Sequence, residues 1–361
     1  MNEANNTKNR VLELLRQVKY PGYSRDIVSF GMVKNISVEN GKLKVQLAMS
    51  GVEDRVAAGL QEFVHQLLRS ESGYEQVQVD LENKPAQSQK KEDKPGHSDQ
   101  LLNPQPLPGV DRIIAVSSGK GGVGKSTVAV NLACTAAGRG LRVGLLDADI
   151  HGPSLPTLLG IKTKPNATKE GLIPFDKFGI KSMSIGYLIE SGQPLIWRGP
   201  MLNKALEQIC GDTLWGTLDY LFIDLPPGTG DVQISMAQKY QISGALVVTT
   251  PQNLALEDVH RGVIMFQHTN VPVLGVVENM SYYRCPECGN VSHPFGEGGG
   301  KREAARLELP LLGTLPLDPK TMELSDRGEP IVAADPGSES AKSYLALWDN
   351  TLKRLEEMIA V

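Results

Sequence analysis

The run Gly119-Lys120-Gly121-Gly122-Val123-Gly124-Lys125-Ser126-Thr127 constrains this chain more than any other, because it dictates a strand, a tight loop and a helix in that order. It satisfies the pattern G-x-x-x-x-G-K-S/T, in which small residues let successive backbone N–H groups turn inward around the β- and γ-phosphates of a nucleotide. Upstream, Arg112 to Ser118 is an apolar β-type run, and downstream Thr127 to Arg139 carries apolar residues at helical spacing. Bound phosphates would then sit at a helix N-terminus. The chain is therefore expected to bind ATP or GTP. Lys125 is the residue to reach the β- and γ-phosphates, and the Ser126 hydroxyl is placed to ligate Mg²⁺. Lys120 is a second lysine that an ordinary loop of this kind lacks.

Apolar β-type runs recur after the loop at Arg142 to Asp147, Tyr220 to Leu225, Ala245 to Thr250, Val271 to Val277 and Leu311 to Leu315, with helical stretches between most of them. Strands alternating with helices imply an α/β fold, a mostly parallel sheet with helices on both faces and the nucleotide beyond the carboxyl ends of the strands. The segment 83–109 has five prolines, mixed charge and no aromatic residue, so it reads as a flexible linker between a domain at 110–361 and one at 1–82. Before it, Lys8 to Val18 and Asp54 to Arg69 read as helices, and Val33 to Val38, Leu43 to Ala48 and Glu75 to Leu81 as strands, giving a small α+β domain built on a hairpin.

Lysine plus arginine number 37 against 41 acidic residues, a net charge of −4, so there is no overall basic field for nucleic acid or an anionic membrane. No run approaches the roughly 18 apolar residues of a spanning helix, and the N-terminus has no secretory pattern. With only four cysteines, the expectation is a cytoplasmic protein without nucleic-acid or membrane partners.

Two carboxylate runs complete the candidate nucleotide site. Asp224 ends Tyr-Leu-Phe-Ile-Asp and precedes Leu225-Pro226-Pro227-Gly228-Thr229-Gly230-Asp231, where a strand-tip carboxylate can bind Mg²⁺ or its water and the glycines can respond to the γ-phosphate. In Leu145-Leu146-Asp147-Ala148-Asp149-Ile150-His151-Gly152, Asp149 is the candidate to orient the attacking water, with Asp147 its structural neighbour and His151 an ordinary loop residue. With Lys120 in the loop, the sequence resembles the deviant Walker A ATPases, P-loop NTPases that include MinD-like, ParA-like and nitrogenase iron-protein-like members. That resemblance implies that Lys120 reaches the nucleotide of a facing subunit in a homodimer, and that ATP is the nucleotide. It also casts Asn279, in Val276-Val277-Glu278-Asn279-Met280, as base-contacting, the alternative being a strand-end turn residue.

After that strand comes Tyr282-Tyr283-Arg284-Cys285-Pro286-Glu287-Cys288-Gly289-Asn290. Two thiols at C-x-x-C spacing suit zinc, copper(I) or an iron-sulfur centre, but two ligands leave a tetrahedral site incomplete. Cys134 and Cys210 fall in apolar helical stretches and read as buried small hydrophobes. Alternatives for the pair are a zinc knuckle using His293, a redox dithiol or an inert turn. Together with the Lys120 loop and Asp224-Leu225-Pro226-Pro227-Gly228-Thr229-Gly230-Asp231, the pair resembles the Mrp or ApbC-type iron-sulfur cluster carriers from about Asp111 to the C-terminus. Residues Asp26 to Val33 resemble the small iron-sulfur-assembly domain often fused to them. The resemblance implies an ATP hydrolase that holds an iron-sulfur cluster, of 4Fe-4S type, between Cys285 and Cys288 of two subunits. It would pass the cluster to apo iron-sulfur proteins and deal with cluster-assembly scaffold proteins. A positioning ATPase without metal and a zinc-stapled dimer are the rivals. This small domain departs from the family at Tyr20-Pro21-Gly22, where an acidic motif is usual, and it has no cysteine, so it reads as a docking module. Ile196-Trp197-Arg198-Gly199-Pro200-Met201 reads as a loop. The stretch Tyr344 to Ile359 reads as a helix packed on the core through Leu345, Trp348, Leu352, Leu355 and Ile359.

Overall fold

The computed structural model describes residues 10–18, 26–28, 32–39, 42–48, 54–72, 74, 76–82, 104–150, 152–188 and 199–359. The chain divides into two compact units, Met1–Gly96 and His97–Val361. Most of the expected linker, together with Tyr20-Pro21-Gly22, His151 and Ile196-Trp197-Arg198, lies outside the described residues, but its end at 104–109 belongs to the second unit, where Gln105 N donates to Lys239 O at 2.8 Å and Leu107 is buried in the core.

In the first unit residues 10–15 are helical (α1), and β1 (Val33–Glu39) pairs antiparallel with β2 (Lys42–Ala48) as a hairpin. Strand β2 then runs parallel to β3 (Gln76–Glu82), a pairing that a tight turn cannot close, so the chain crosses over through α2 (Asp54–Glu71). Leu60, Val64 and Leu68, spaced four apart, share one side of α2 and are buried in one cluster with Leu43, Val45, Leu47 and Val79.

The second unit is built on β4 (Val110–Ser118), β5 (Val143–Asp147), β6 (Phe175–Lys177), β7 (Ile180–Ser184), β8 (Leu218–Asp224), β9 (Gly244–Thr249), β10 (Val273–Arg284), β11 (Val291–Ser292) and β12 (Leu311–Pro316). Its order is β12-β10-β9-β4-β8-β5-β7-β6, all parallel except β6 on β7, while β11 folds back antiparallel on the far end of β10. Between the strands run α3 (Lys125–Gly138), α4 (Leu155–Leu158), α5 (Gly199–Asp212), α6 (Asp231–Lys239), α7 (Asn253–His268) and α8 (Gly299–Arg306), with α9 (Pro319–Asp326), α10 (Ile331–Ala334) and α11 (Glu339–Ile359) at the end. Every residue of β5 and β9 is buried, which requires cover on both faces of the sheet; α3 packs on β4, β5 and β8, and α7 on β4 and β9. Parallel strands point their carboxyl ends the same way, so the tips of β4, β5 and β8 bring Ser118, Asp147 and Asp224 to one rim, with Asp147 and Asp224 in register.

Three expectations need correction. Strands β6 and β7 were not anticipated, because each is short and polar-interrupted. Strand β10 continues to Arg284 rather than stopping at Val277; Met280, at φ 54, takes the left-handed region inside it, so a polar stretch that reads as a turn remains strand. The expected loop at Gly199-Pro200-Met201 is instead the start of α5, as Pro at the second helical position permits.

Helix α11 packs on the core, though through a rotated face: Ala341, Tyr344, Leu347, Trp348, Thr351 and Leu355 are buried, while Leu345 and Leu352 are only partly so. Trp348 meets Tyr220 edge-on at 5.1 Å between ring centroids and lies 5.9 Å from Phe222. Trp348→Ala should therefore lower stability by about 3–5 kcal/mol, read as a fall in the urea unfolding midpoint. An unchanged midpoint would show that α11 is not part of the core.

Candidate nucleotide and cysteine sites

The loop between β4 and α3 turns on two glycines in the left-handed region, Gly122 at φ 82 and Gly124 at φ 79. Space as well as conformation demands glycine here. A Cβ on Gly124 would lie 2.3 Å from Asn279 Nδ2, and one on Gly119 would lie 2.4 Å from the Asp258 backbone. Ser118 anchors both sides of the loop, donating its hydroxyl to Lys120 O at 2.9 Å and accepting from Gly228 N at its own carbonyl at 2.8 Å. The loop after Asp224 is thus hydrogen-bonded to the last residue of β4, from which the phosphate loop springs.

Lys125 opens α3 and is 6% exposed; its ammonium pairs with the buried Asp224 carboxylate and approaches Ser126 Oγ at 3.3 Å. Asp147 faces Asp224 across β5 and β8, and it accepts from Asp149 N (3.0 Å), Ser154 N (3.0 Å), Leu155 N (3.2 Å) and Ser184 Oγ (3.0 Å). Burial, and secondarily the charge of Asp224, pushes the Asp147 carboxyl up to about 7. Burial also raises Asp224, opposed by Lys125. Three backbone donors and the Ser184 hydroxyl on one carboxylate make Asp147 a staple that ties Asp149, Ser154 and the start of α4 to the end of β7.

Asp149 is held by Gly152 N at 3.2 Å and lines a cavity of about 310 Å³ with Lys120, Gly121, Gly122, Gly124, Lys125, Ser126, Thr127 and Pro227. This gathers the phosphate-loop candidates and the candidate water-orienting residue around one space. Lys120 is half-buried there and forms no ion pair with another described residue. A second cavity, of about 250 Å³ and largely apolar, shares Gly124, Thr127 and Leu158 with the first and is bounded by Asn279, Met280, Leu315 to Asp318 and Tyr344. Asn279 is 7% exposed and donates Nδ2 to Val123 O at 2.9 Å. The side chain at the kink of β10 therefore braces the phosphate loop from beneath.

Mg²⁺ fits the residues present. Asp224 Oδ2 is buried with no hydrogen-bond partner among the described residues, beside the Ser126 hydroxyl, and a hard cation prefers such oxygen donors. A further residue at this site belongs to no motif. Gln233, buried in α6, donates Nε2 to Pro226 O at 2.8 Å and to Gly228 O at 3.0 Å, bracing the loop after Asp224. A lone glutamine inside a helix gives no sequence signal of that role.

The cysteine pair lies at the tip of the β10–β11 hairpin. Cys285 N donates to Asn290 O at 2.9 Å and Gly289 N to Cys285 O at 2.8 Å, with Gly289 at φ 71 closing the turn. Cys285 is half-exposed and Cys288 exposed. Hydrogen bonds from the Cys288 and Glu287 backbone, then from the Cys288 thiol, hold the Cys285 thiol below its usual range, which favours the thiolate that metals bind. By contrast Cys134 and Cys210 are buried, and desolvation pushes both thiols up to about 12. Among the described residues no group of three or more His, Cys, Asp or Glu side chains could hold a metal ion. His293, the candidate third ligand, turns Nδ1 toward Ser281 O at 3.0 Å instead. One chain thus presents two thiols at the hairpin tip, Cys288 exposed and Cys285 half-exposed, without a third ligand among the described residues.

Residues 109–352 match the family described as NUBPL iron-transfer P-loop NTPase. The chain belongs to that family. Residues 8–81 match a second family, described as iron-sulfur cluster assembly protein. An iron-sulfur cluster carrier protein of Synechocystis is 41% identical over 351 residues, covering 94% of this chain and 96% of its own length. One from Escherichia coli K12 is 39% identical over 343 residues, covering 94% and 90% respectively. Among solved structures, a nucleotide-binding protein from Archaeoglobus fulgidus in complex with ADP is 41% identical, covers 62% of this chain and 88% of its own, and superposes with a TM-score of 0.55. Pyrococcus furiosus MinD, a cell division ATPase, is 24% identical with a TM-score of 0.52, covers 67% of this chain and 99% of its own, and shares the fold. The chain is thus a nucleotide-binding P-loop NTPase of an iron-sulfur carrier family, and no helix of the described residues is long and apolar enough to cross a membrane.

Proposed function

We propose that two copies of this chain form a cytoplasmic ATPase that holds one 4Fe-4S cluster as cargo between the Cys285 and Cys288 thiolates of both subunits and delivers it to apo iron-sulfur proteins. The observation that carries this reading is the outward-facing half ligand set at the tip of β10, the strand whose Asn279 braces the phosphate loop. A second copy supplies the missing two thiolates with the same softness and geometry, and a two-fold arrangement does so without any further ligand.

In the nucleotide site the loop N–H groups and Lys125 receive the β- and γ-phosphates, and the ammonium that here neutralises Asp224 is drawn to the phosphates. Ser126 and Asp224 are the residues that would hold Mg²⁺, which when bound neutralises charge on the phosphate oxygens. Lys120, which lines that cavity without a described counter-ion, reaches the nucleotide of the facing subunit. The apolar cavity beside Asn279 takes the adenine base. Asp149 orients the attacking water and accepts its proton. The loop 225–231, tied to Ser118 and braced by Gln233, reads the γ-phosphate and its loss. The small N-terminal domain, which has no cysteine, serves as a docking module for scaffold or recipient proteins.

Asp149→Asn tests the hydrolytic half. It should lower the ATP turnover rate by about 10²- to 10⁴-fold while leaving nucleotide affinity within about threefold, measured by phosphate release and by fluorescent-nucleotide titration. Turnover equal to the parent protein would remove Asp149 from the mechanism.

A further inference from the structure

The base-side cavity and the cysteine turn are joined by the first turn of α11. Glu339, the first residue of that helix, accepts from Tyr282 Oη at 3.0 Å through one carboxylate oxygen and from Arg284 Nε at 2.8 Å through the other. The same guanidinium donates Nη1 to Gly289 O at 3.2 Å, and Gly289 N in turn closes the cysteine turn on Cys285 O. The next residue along the helix points to the nucleotide side. Ser340, buried, donates to Asp318 Oδ2 at 2.6 Å, which also accepts from Thr321 Oγ1 at 2.8 Å. Asp318, Thr321, Ser340 and Tyr344 all line the apolar cavity, and the adjoining Leu317 N donates to Tyr282 O at 2.7 Å.

Resting on the proposed carrier function, we propose that this turn of α11 transmits occupancy of the nucleotide cavity to the cysteine turn, with Arg284 and Glu339 as positioning residues. A helix moves as a unit because its backbone bonds tie each residue to the next turn. A shift of Asp318 or Tyr344 on nucleotide entry therefore displaces Glu339 as well. Arg284 converts that displacement into a change at the turn, because its planar fork addresses a carboxylate and a carbonyl at fixed angles, which a flexible ammonium would not. Both side chains are about half exposed, 49% and 45%, so their ion pair adds little to stability. Its removal should free the turn without unfolding the domain.

Amide hydrogen exchange on the full-length protein, with and without Mg-ATP, tests this. In the parent protein ATP should change exchange at the Cys285 and Gly289 amides by about tenfold, within the usual range for coupled sites. Arg284→Ala and Glu339→Gln should each reduce that change to under about twofold while preserving the ATP-dependent protection of residues 119–127. The preserved signal in the phosphate loop shows that each variant is folded and loaded with nucleotide. A change at the cysteine turn as large in both variants as in the parent, or none in the parent despite protection of the phosphate loop, would overturn the proposal. Exchange needs no bound iron, so failure of the cargo reading would appear in iron content and not here.

Discussion

Replacing Cys285 and Cys288 together by alanine should reduce the iron and labile sulfide bound after anaerobic reconstitution by at least about tenfold, with loss of the visible absorption of the cluster. No other group of potential ligands is assembled among the described residues, and the remaining two thiols are buried and desolvated, so no other described group is placed to take over. The substituted positions are solvent-facing, and the unfolding midpoint should move by no more than about 0.5 kcal/mol equivalent. Loss of cluster at unchanged stability is the signature of removed ligands. A double variant that loads as much iron as the parent would show that the cargo is held elsewhere.

Lys125→Ala should lower ATP hydrolysis by about 10²- to 10³-fold, the usual effect of removing one aimed cationic or hydrogen-bonding group from a phosphoryl-transfer site. The same substitution should destabilise the nucleotide-free protein. Lys125 is the cation paired with Asp224, which is fully buried and faces the equally buried Asp147. Taking the ammonium away leaves two adjacent carboxylates in a dry site, a loss of up to about 3–5 kcal/mol, reduced to the extent that one of them takes up a proton. Adding Asp224→Asn to Lys125→Ala should recover about 1–3 kcal/mol of that loss, because the amide has no charge to strand. Urea unfolding of the two single variants and the double variant reads this cycle. Strict additivity would mean that the buried pair is not coupled.

The phosphate loop and its flanking strand and helix were legible because the chemistry demands a fixed spacing: Gly122 and Gly124 take the left-handed backbone that glycine favours, Gly124 also has no room for a Cβ, and Lys125 must open the helix. Asp224 was legible for the same reason, as a charge at the end of an apolar strand. The cysteine pair and its incompleteness as a ligand set announced themselves by spacing, but its exposed place in a hairpin turn did not, since Cys285, Gly289 and Asn290 are arranged by backbone bonds that carry no side-chain signature. The reach of β10 to Arg284 was hidden by Met280, whose left-handed backbone lets a strand bend without a glycine. The buried face of α11 lies a fraction of a turn from the one its leucine spacing suggests. A wide sheet buries a broad stripe, so Leu347 enters the core while Leu345 sits at its margin. Gln233, Arg284 and Glu339 act through partners distant in sequence or through backbone carbonyls, and a single chain's pattern contains no trace of such pairs.

Native mass measurement of the anaerobically reconstituted protein, combined with iron and sulfide analysis, bears most directly on the shared-cluster arrangement. The expected species is a dimer with about two iron and two sulfide per chain, which separates into colourless single chains when the cluster is lost. A cluster carried by single chains, or a stable dimer holding zinc in its place, would contradict it.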